Sequence, residues 1–252
     1  MSIRVESWGL TDIGLVRTNN EDVWSQLKDD QFFIIADGMG GHRAGEVAAK
    51  EAVEALSRIV SQGFREKPSK DFSLNELKEF LYSGIIDVNS VVYSIGSSDD
   101  SLRGMGTTLC CLCVVQEGVV YAHVGDSRIY RLRDGQLSQL TTDHTLVAPY
   151  VDTSNDEPQN KDNISYKNFL TRTIGNDPLT IPDVEIATIQ NGDIYMLCSD
   201  GLTDMVPPEE IERVMLSSPT VQDCAQDLVT IAKVNGGIDN VTVVVLKLIK
   251  DA

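Results

Sequence analysis

Four short acidic signatures, each set at the edge of an apolar run, constrain this chain more than any other feature. They are Asp37-Gly38-Met39-Gly40-Gly41-His42, Gly125-Asp126-Ser127-Arg128, Ser199-Asp200-Gly201-Leu202-Thr203-Asp204 and Asp239-Asn240. Aspartates far apart in sequence but delivered by strand ends suit a hard cation, because Mg²⁺ and Mn²⁺ prefer oxygen ligands held by rigid elements. A fold that gathers these positions makes the chain a metal-dependent enzyme.

The apolar pattern around the acids gives the architecture. Strand-like runs cover Val5 to Leu10, Asp22 to Leu27 and Phe32 to Ala36, the last delivering Asp37 to the end of a buried strand. From Ala44 the spacing becomes helical, with Val47, Ala48, Ala52, Ala55, Leu56 and Ile59 on one stripe. After a linker from Gly63 to Asp71, Ser73 and Glu76 form a capping box for a second helix carrying Leu77, Leu81, Ile85, Val88 and Val92. Strands return at Thr107 to Val115, Val119 to Val124 and Ser127 to Arg133, with Asp134-Gly135 turning the chain into Gln136 to Leu140. Asn191-Gly192 predicts a further hairpin between Val184 to Ile189 and Ile194 to Cys198. Two shorter helices, one from Pro207-Pro208 and one capped by Thr220, precede a long strand from Val241 to Ile249.

These elements predict an α+β sandwich, two antiparallel β-sheets packed face to face with helices on both outer faces, in one catalytic domain over 1–252. The stretch from Asp143 to Phe169, rich in Asp, Asn and Pro, exceeds the ~12–15 residues of ordinary loops and reads as a flap over a site.

A net charge of -17 excludes nucleic acid and anionic membrane surfaces as main partners, since both need concentrated positive charge. No apolar run approaches the ~20 residues that span a bilayer, and Met1 to Glu6 lacks the apolar core of a secretory signal, so a cytoplasmic location is expected. Five cysteines, an odd number, suit a reducing compartment; Cys110-Cys111-Leu112-Cys113 falls inside a β-like run and reads as buried strand cysteines.

Phosphoryl chemistry on two divalent ions needs a carboxylate touching both, flanking acids, and a cation that reads phosphate. Asp37, Asp200 and Asp239 supply acids, and Gly38 leaves its carbonyl open as a hard ligand. Arg17 is the phosphate candidate, because its planar fork can hold two oxygens; a surface salt bridge is the competing role. Glu21 and Asp22 follow it closely enough to orient water bound in such a centre. His123 reads as a satisfied core histidine, and His144 as an anchor for the start of the flap.

Taken in order, Arg17-x-x-Asn20-Glu21-Asp22, Asp37-Gly38-Met39-Gly40-Gly41-His42, Gly104-Met105-Gly106-Thr107-Thr108, Val124-Gly125-Asp126-Ser127-Arg128, Asp143-His144, Leu170-Thr171-Arg172-x-Ile174-Gly175, Ser199-Asp200-Gly201 and Asp239-Asn240-x-Thr242 resemble the motif series of bacterial-type PPM (type 2C) metal-dependent protein serine/threonine phosphatases. The resemblance implies that Asp37 bridges two Mn²⁺ or Mg²⁺ ions, that the Gly38 carbonyl binds one, and that Asp200 and Asp239 bind the other. Asp126, Asp200 and Asp204 match a third, weaker metal site of bacterial members. A water activated by the ion pair would hydrolyse phosphoserine and phosphothreonine in proteins without a covalent intermediate. The resemblance makes a serine/threonine kinase the cognate signalling partner.

Animal members place a His after the Asp-Gly pair as a proposed general acid, whereas this chain, like bacterial members, has Met39, which cannot donate a proton. His42 becomes the acid candidate, with capping of the helix that follows as its competing role. A pseudophosphatase that only binds phosphoproteins is the alternative function; against it, every acid of the motif series is present.

Overall fold

The computed structural model describes residues 3–27, 29, 31–39, 43–150 and 165–250. The first sheet has the order β1-β13-β12-β7-β8, built from β1 (Ile3–Asp12), β13 (Val241–Lys250), β12 (Ile194–Cys198), β7 (Arg128–Arg133) and β8 (Gln136–Gln139). The second runs β11-β6-β5-β3-β2, from β11 (Asp183–Ala187), β6 (Gly118–Val124), β5 (Leu109–Val115), β3 (Phe32–Met39) and β2 (Asp22–Leu27), with the short β4 (Gly106–Thr107) paired to the end of β3. All the pairings are antiparallel.

Alternation along the strands fixes the layers. On β3, Phe33 and Ile35 face the other sheet, where they share a core with Ile129, Tyr195, Leu197, Val244 and Leu246. Phe32 and Ile34 face outward, onto α1 (Arg43–Glu66) and α2 (Leu74–Ser98). On the far side α4 (Pro208–Ser217) and α5 (Val221–Val234) cover Met196, Val243 and Val245 of the first sheet. The predicted helix-sheet-sheet-helix sandwich is the observed one. The same alternation sends Cys110 to the inner core and Cys111 and Cys113 to the helical side, so the C-x-x-C pair sits on opposite faces of β5.

The capping box at Ser73 forms, with Glu76 N–H donating to Ser73 Oγ at 3.2 Å and Ser73 N–H to Glu76 Oε2 at 2.9 Å. Asp134-Gly135 makes the expected hairpin, both residues at positive φ (52° and 80°).

Two expectations are corrected. Asn191-Gly192 makes no hairpin: β11 pairs with β6 and β12 with β7 and β13, so the turn carries the chain from one sheet to the other. Asp193 holds that crossing, accepting from Gln190 N–H at 2.8 Å and from Arg133 at 2.6 Å, bonds no turn dipeptide announces. The linker placed from Gly63 starts too early, since α1 continues to Glu66. Phe64 is buried against the rings of Phe72 and Phe80, and that packing outweighs the low helix propensity of Gly63. Within the expected flap, β9 (Thr145–Tyr150) pairs with β10 (Ser165–Leu170) as a two-stranded ribbon; residues 151–164 lie outside the described residues.

Candidate metal centre

The ends of β2, β3, β12 and β13 meet at one edge of the sandwich. Asp22 and Asp37 stand opposite each other across β2 and β3. The Asp37 backbone is clamped: its carbonyl accepts from Thr108 N–H (2.8 Å) and Thr107 Oγ1 (2.7 Å), and its N–H donates to Thr108 Oγ1 (3.0 Å). Gly38 donates its N–H to the Glu21 carbonyl at 3.1 Å and presses on the Gly45 carbonyl in the first turn of α1, where a Cβ would collide with backbone. That close approach, and not a special φ, demands glycine at 38.

Asp200 opens a four-residue helix, α3 (Asp200–Thr203), which alternation did not predict; Asp204 N–H donates to the Asp200 carbonyl at 2.8 Å. Just before β13, Asn240 sews the edge together. Its Oδ1 accepts from Glu21 N–H at 2.8 Å, while its Nδ2 donates to the carbonyls of Ile13 and Asn19 at 3.0 Å each.

Asp22 is buried, and its Oδ2 accepts two hydroxyl bonds, from Thr242 (2.7 Å) and Ser199 (2.8 Å). Asp22 Oδ1 and Asp200 Oδ1 are both buried without a hydrogen-bond partner. Buried carboxylate oxygens in that state are costly unless a cation compensates them.

The titration of the acids tells the same story. Burial, followed by the charges of Asp22 and Asp200, holds Asp37 well above the carboxylate range. Burial pushes Asp22 up to about 6 against the bonds from Thr242 and Ser199, and Asp200 up to about 7 with Asp126, Asp239 and Asp204 adding to it. Burial also raises Asp126 and Asp204, each reinforced by neighbouring carboxylates and opposed by Arg128. The cation touching this set among the described residues is Arg17, whose Nη2 lies 2.6 Å from Asp239 Oδ2 at the exposed rim. An array of oxygen donors with surplus negative charge fits hard divalent ions.

Sequence reasoning therefore finds Glu21, Asp22, Asp37, Gly38, Asp126, Asp200, Asp204 and Asp239 gathered at one edge. The salt bridge considered for Arg17 does form, with a predicted ligand, Asp239, as its partner. His42 lies outside the described residues. The hydroxyls of Thr107, Thr108, Ser199 and Thr242 were missed as functional groups; their signal was position, since each falls within one of the ordered motifs. Thr242→Val, which keeps the strand-favouring shape but removes a donor to Asp22, is expected to cost about 1–3 kcal/mol in urea unfolding of the metal-free protein. An unchanged midpoint would show that Asp22 does not depend on that hydroxyl.

The tightest group of metal-type ligands among the described residues is elsewhere, at His123, His144 and Asp183. Three of its four ring nitrogens are committed. His123 Nε2 faces the Thr142 carbonyl at 2.9 Å, His144 Nε2 faces Asp183 at 3.2 Å, and His144 Nδ1 accepts from Gly125 N–H at 3.2 Å. Both imidazoles thus carry their proton on Nε2 and act as hydrogen-bonding struts at the flap root, where Thr171 N–H donates to the His144 carbonyl.

Known proteins resemble this chain over most of its length. The profile of the protein phosphatase 2C family matches residues 16–231. The chain belongs to the protein phosphatase 2C family. It is 38% identical over 240 residues to the serine/threonine phosphatase stp of Listeria monocytogenes serotype 4b, covering 94% of this chain and 93% of that one. It is 35% identical over 242 residues to the protein phosphatase PhpP of Streptococcus pneumoniae, with 95% and 96% covered. The crystal structure of the catalytic domain of the serine/threonine phosphatase PstP, in complex with two manganese ions, is similar at a TM-score of 0.79 and 33% identity, covering 99% of this chain and 100% of that one. This protein phosphatase 2C is accordingly a metal-dependent protein serine/threonine phosphatase, with Mn²⁺ or Mg²⁺ as its cofactor.

Proposed function

We propose that the gathered acids are the catalytic centre, with Asp37, Gly38, Asp200 and Asp239 holding two divalent ions and Asp126, Asp200 and Asp204 able to hold a third. The observation that carries this reading is the pair of buried, unpartnered oxygens on Asp22 and Asp200 within a cluster of like charges. When bound, the ions would neutralise that cluster and supply an acidified water able to attack phosphorus.

The chain's own groups do the rest. Arg17 has one nitrogen on Asp239, and its remaining donors make no bond among the described residues, so its fork is available to phosphate oxygens. Glu21, held by Asn19 Nδ2 at 3.0 Å, and Asp22, held by its two hydroxyls, are fixed carboxylates that would orient water bound in the ion centre. Met39 cannot protonate the leaving alkoxide; His42 is the side chain the sequence offers for that step.

The substrates are phosphoproteins, and a serine/threonine kinase that writes the same phosphates is the corresponding partner. A cytoplasmic location is supported by five buried cysteines without disulfides. No helix among the described residues is long and apolar enough to cross a membrane.

The test is phosphate release from a phosphothreonine peptide with Mn²⁺, with and without chelator, for the native chain and Arg17→Ala. Turnover should be chelator-sensitive. Arg17→Ala should raise KM by about 10- to 100-fold, the worth of a charge-assisted phosphate contact, with Mn²⁺ affinity little changed. Unchanged kinetics would leave Arg17 a surface salt bridge.

A further inference from the structure

Beside the acid cluster, on the side where Arg17 stands, the surface carries an apolar strip. Leu15 and Val16 are each 64% exposed, Val234 79% and Ile238 50%. Leu10, Leu15, Val229 and Val234 line a groove of about 930 Å³ along α5. Single exposed apolar residues are ordinary; a contiguous set at the rim of a reactive centre marks a binding surface.

Two interlocked turns build the strip. Leu15 N–H donates to the Gly237 carbonyl at 2.7 Å. Gly14, at φ +78°, packs on the carbonyls of Asp239 and Gly237, and Gly237 itself is left-handed, at φ +52°. The first turn leads through Val16 into Arg17, and the second through Ile238 into Asp239, the two residues that close the ion pair. Groove and phosphate-reading pair are therefore parts of one backbone unit, so whatever lies on the strip is placed relative to phosphorus.

The chemistry of the walls narrows the occupant. Among the described residues the one cation lining the groove, Lys233, is bonded to Asp12 at 2.7 Å, and Asp227 adds a further negative charge. A second anion is not attracted there, whereas a polypeptide with apolar side chains is. A second copy of the chain seated on the strip would cover Arg17 and close the cleft.

We propose that this strip docks the polypeptide flanking the phosphorylated residue, selecting phosphoproteins with apolar neighbours next to phosphoserine or phosphothreonine. This rests on the reading that Arg17 receives the phosphate. Rim position makes the contribution a matter of KM, about tenfold for an apolar side chain moved partly out of water.

The test uses the full chain with Mn²⁺ and three substrates: p-nitrophenyl phosphate, a phosphothreonine peptide flanked by Leu and Val, and the same peptide flanked by Ser. The native enzyme should show a KM about tenfold lower for the apolar-flanked peptide. Val234→Asp and Leu15→Ser should remove that preference while leaving p-nitrophenyl phosphate kinetics unchanged. Equal KM for the two peptides, or variants that slow all three substrates alike, would overturn the docking surface while leaving the phosphatase intact. A dimer dissolved by the variants with no change in peptide preference would also overturn it, by assigning the strip to self-association. Failure to turn over even p-nitrophenyl phosphate would instead bring down the assignment of the acid cluster, and the docking surface with it.

Discussion

Asp37→Asn, and independently Asp200→Asn, is expected to lower Mn²⁺-dependent phosphate release by about three orders of magnitude, roughly 4 kcal/mol of transition-state stabilisation. The loss should come without unfolding. The bonds that fix position 37 are made by its backbone to Thr107 and Thr108, and an amide side chain leaves them in place. Neutralising a carboxylate that sits between Asp22 and Asp200 also relieves repulsion, so the melting temperature of metal-free Asp37→Asn should equal or exceed that of the native chain. Activity and stability then move in opposite directions, a signature that a damaged core cannot produce. Full Mn²⁺-dependent turnover by either folded variant would remove these residues from the centre.

Chelation should have the second large effect, on stability. Asp22 and Asp200 have folded-state values raised to about 6 and about 7 from 3.8, and burial raises Asp37 in the same direction. Acids raised on folding bind protons that the unfolded chain releases, so their favourable contribution is complete below about 4 and is lost as pH climbs through 6 and 7. The metal-free centre is therefore most strained at neutral pH and above, where divalent ions relieve it. At a hundred times its Kd one ion adds about 2.7 kcal/mol, or about 5–10 °C in a chain of this size. Melting curves at pH 7.5 and 5.5, with Mn²⁺ or chelator, should show the larger metal-induced shift at pH 7.5, because at pH 5.5 the ions must displace protons. Equal shifts at the two values would contradict the assignment of the raised acids to the metal centre.

How far the sequence reaches depends on what kind of order it encodes locally. Strand alternation is written residue by residue, so Phe32 to Ala36 announced both a buried strand and the acid at its end. The acids themselves were legible from their ordered motifs at the edges of apolar runs, and not from Asp-Gly alone, since Asp134-Gly135 after β7 only turns a hairpin. Pairing between distant strands has no such local code. Asn191-Gly192 looks like any hairpin turn, and only the bonds of Asp193 to Gln190 and Arg133 reveal that the chain changes sheets there. The two hydroxyls on Asp22 come from positions 199 and 242, and nothing near residue 22 records them. Gly63 misled because the rings of Phe72 and Phe80 that hold its helix lie on the next segment.

The pairing of the first strand with the last gives catalysis a place in time. β1 is zipped to β13 along its whole length, from Ile3 opposite Lys250 to Asp12 opposite Val241, and β13 begins directly after Asp239 and Asn240. A growing polypeptide can assemble the sheet that carries Asp37 and the two long helices against it while Asp239, Asn240 and Thr242 are still unmade. Enzymatic activity thus reports that the chain has closed on itself. With Ile3 and Lys250 side by side, a circularly permuted chain that links them and is cut at the Asp134-Gly135 turn preserves every strand neighbour while placing Asp200, Asp204 and Asp239 ahead of Asp37 and Asp126 in synthesis.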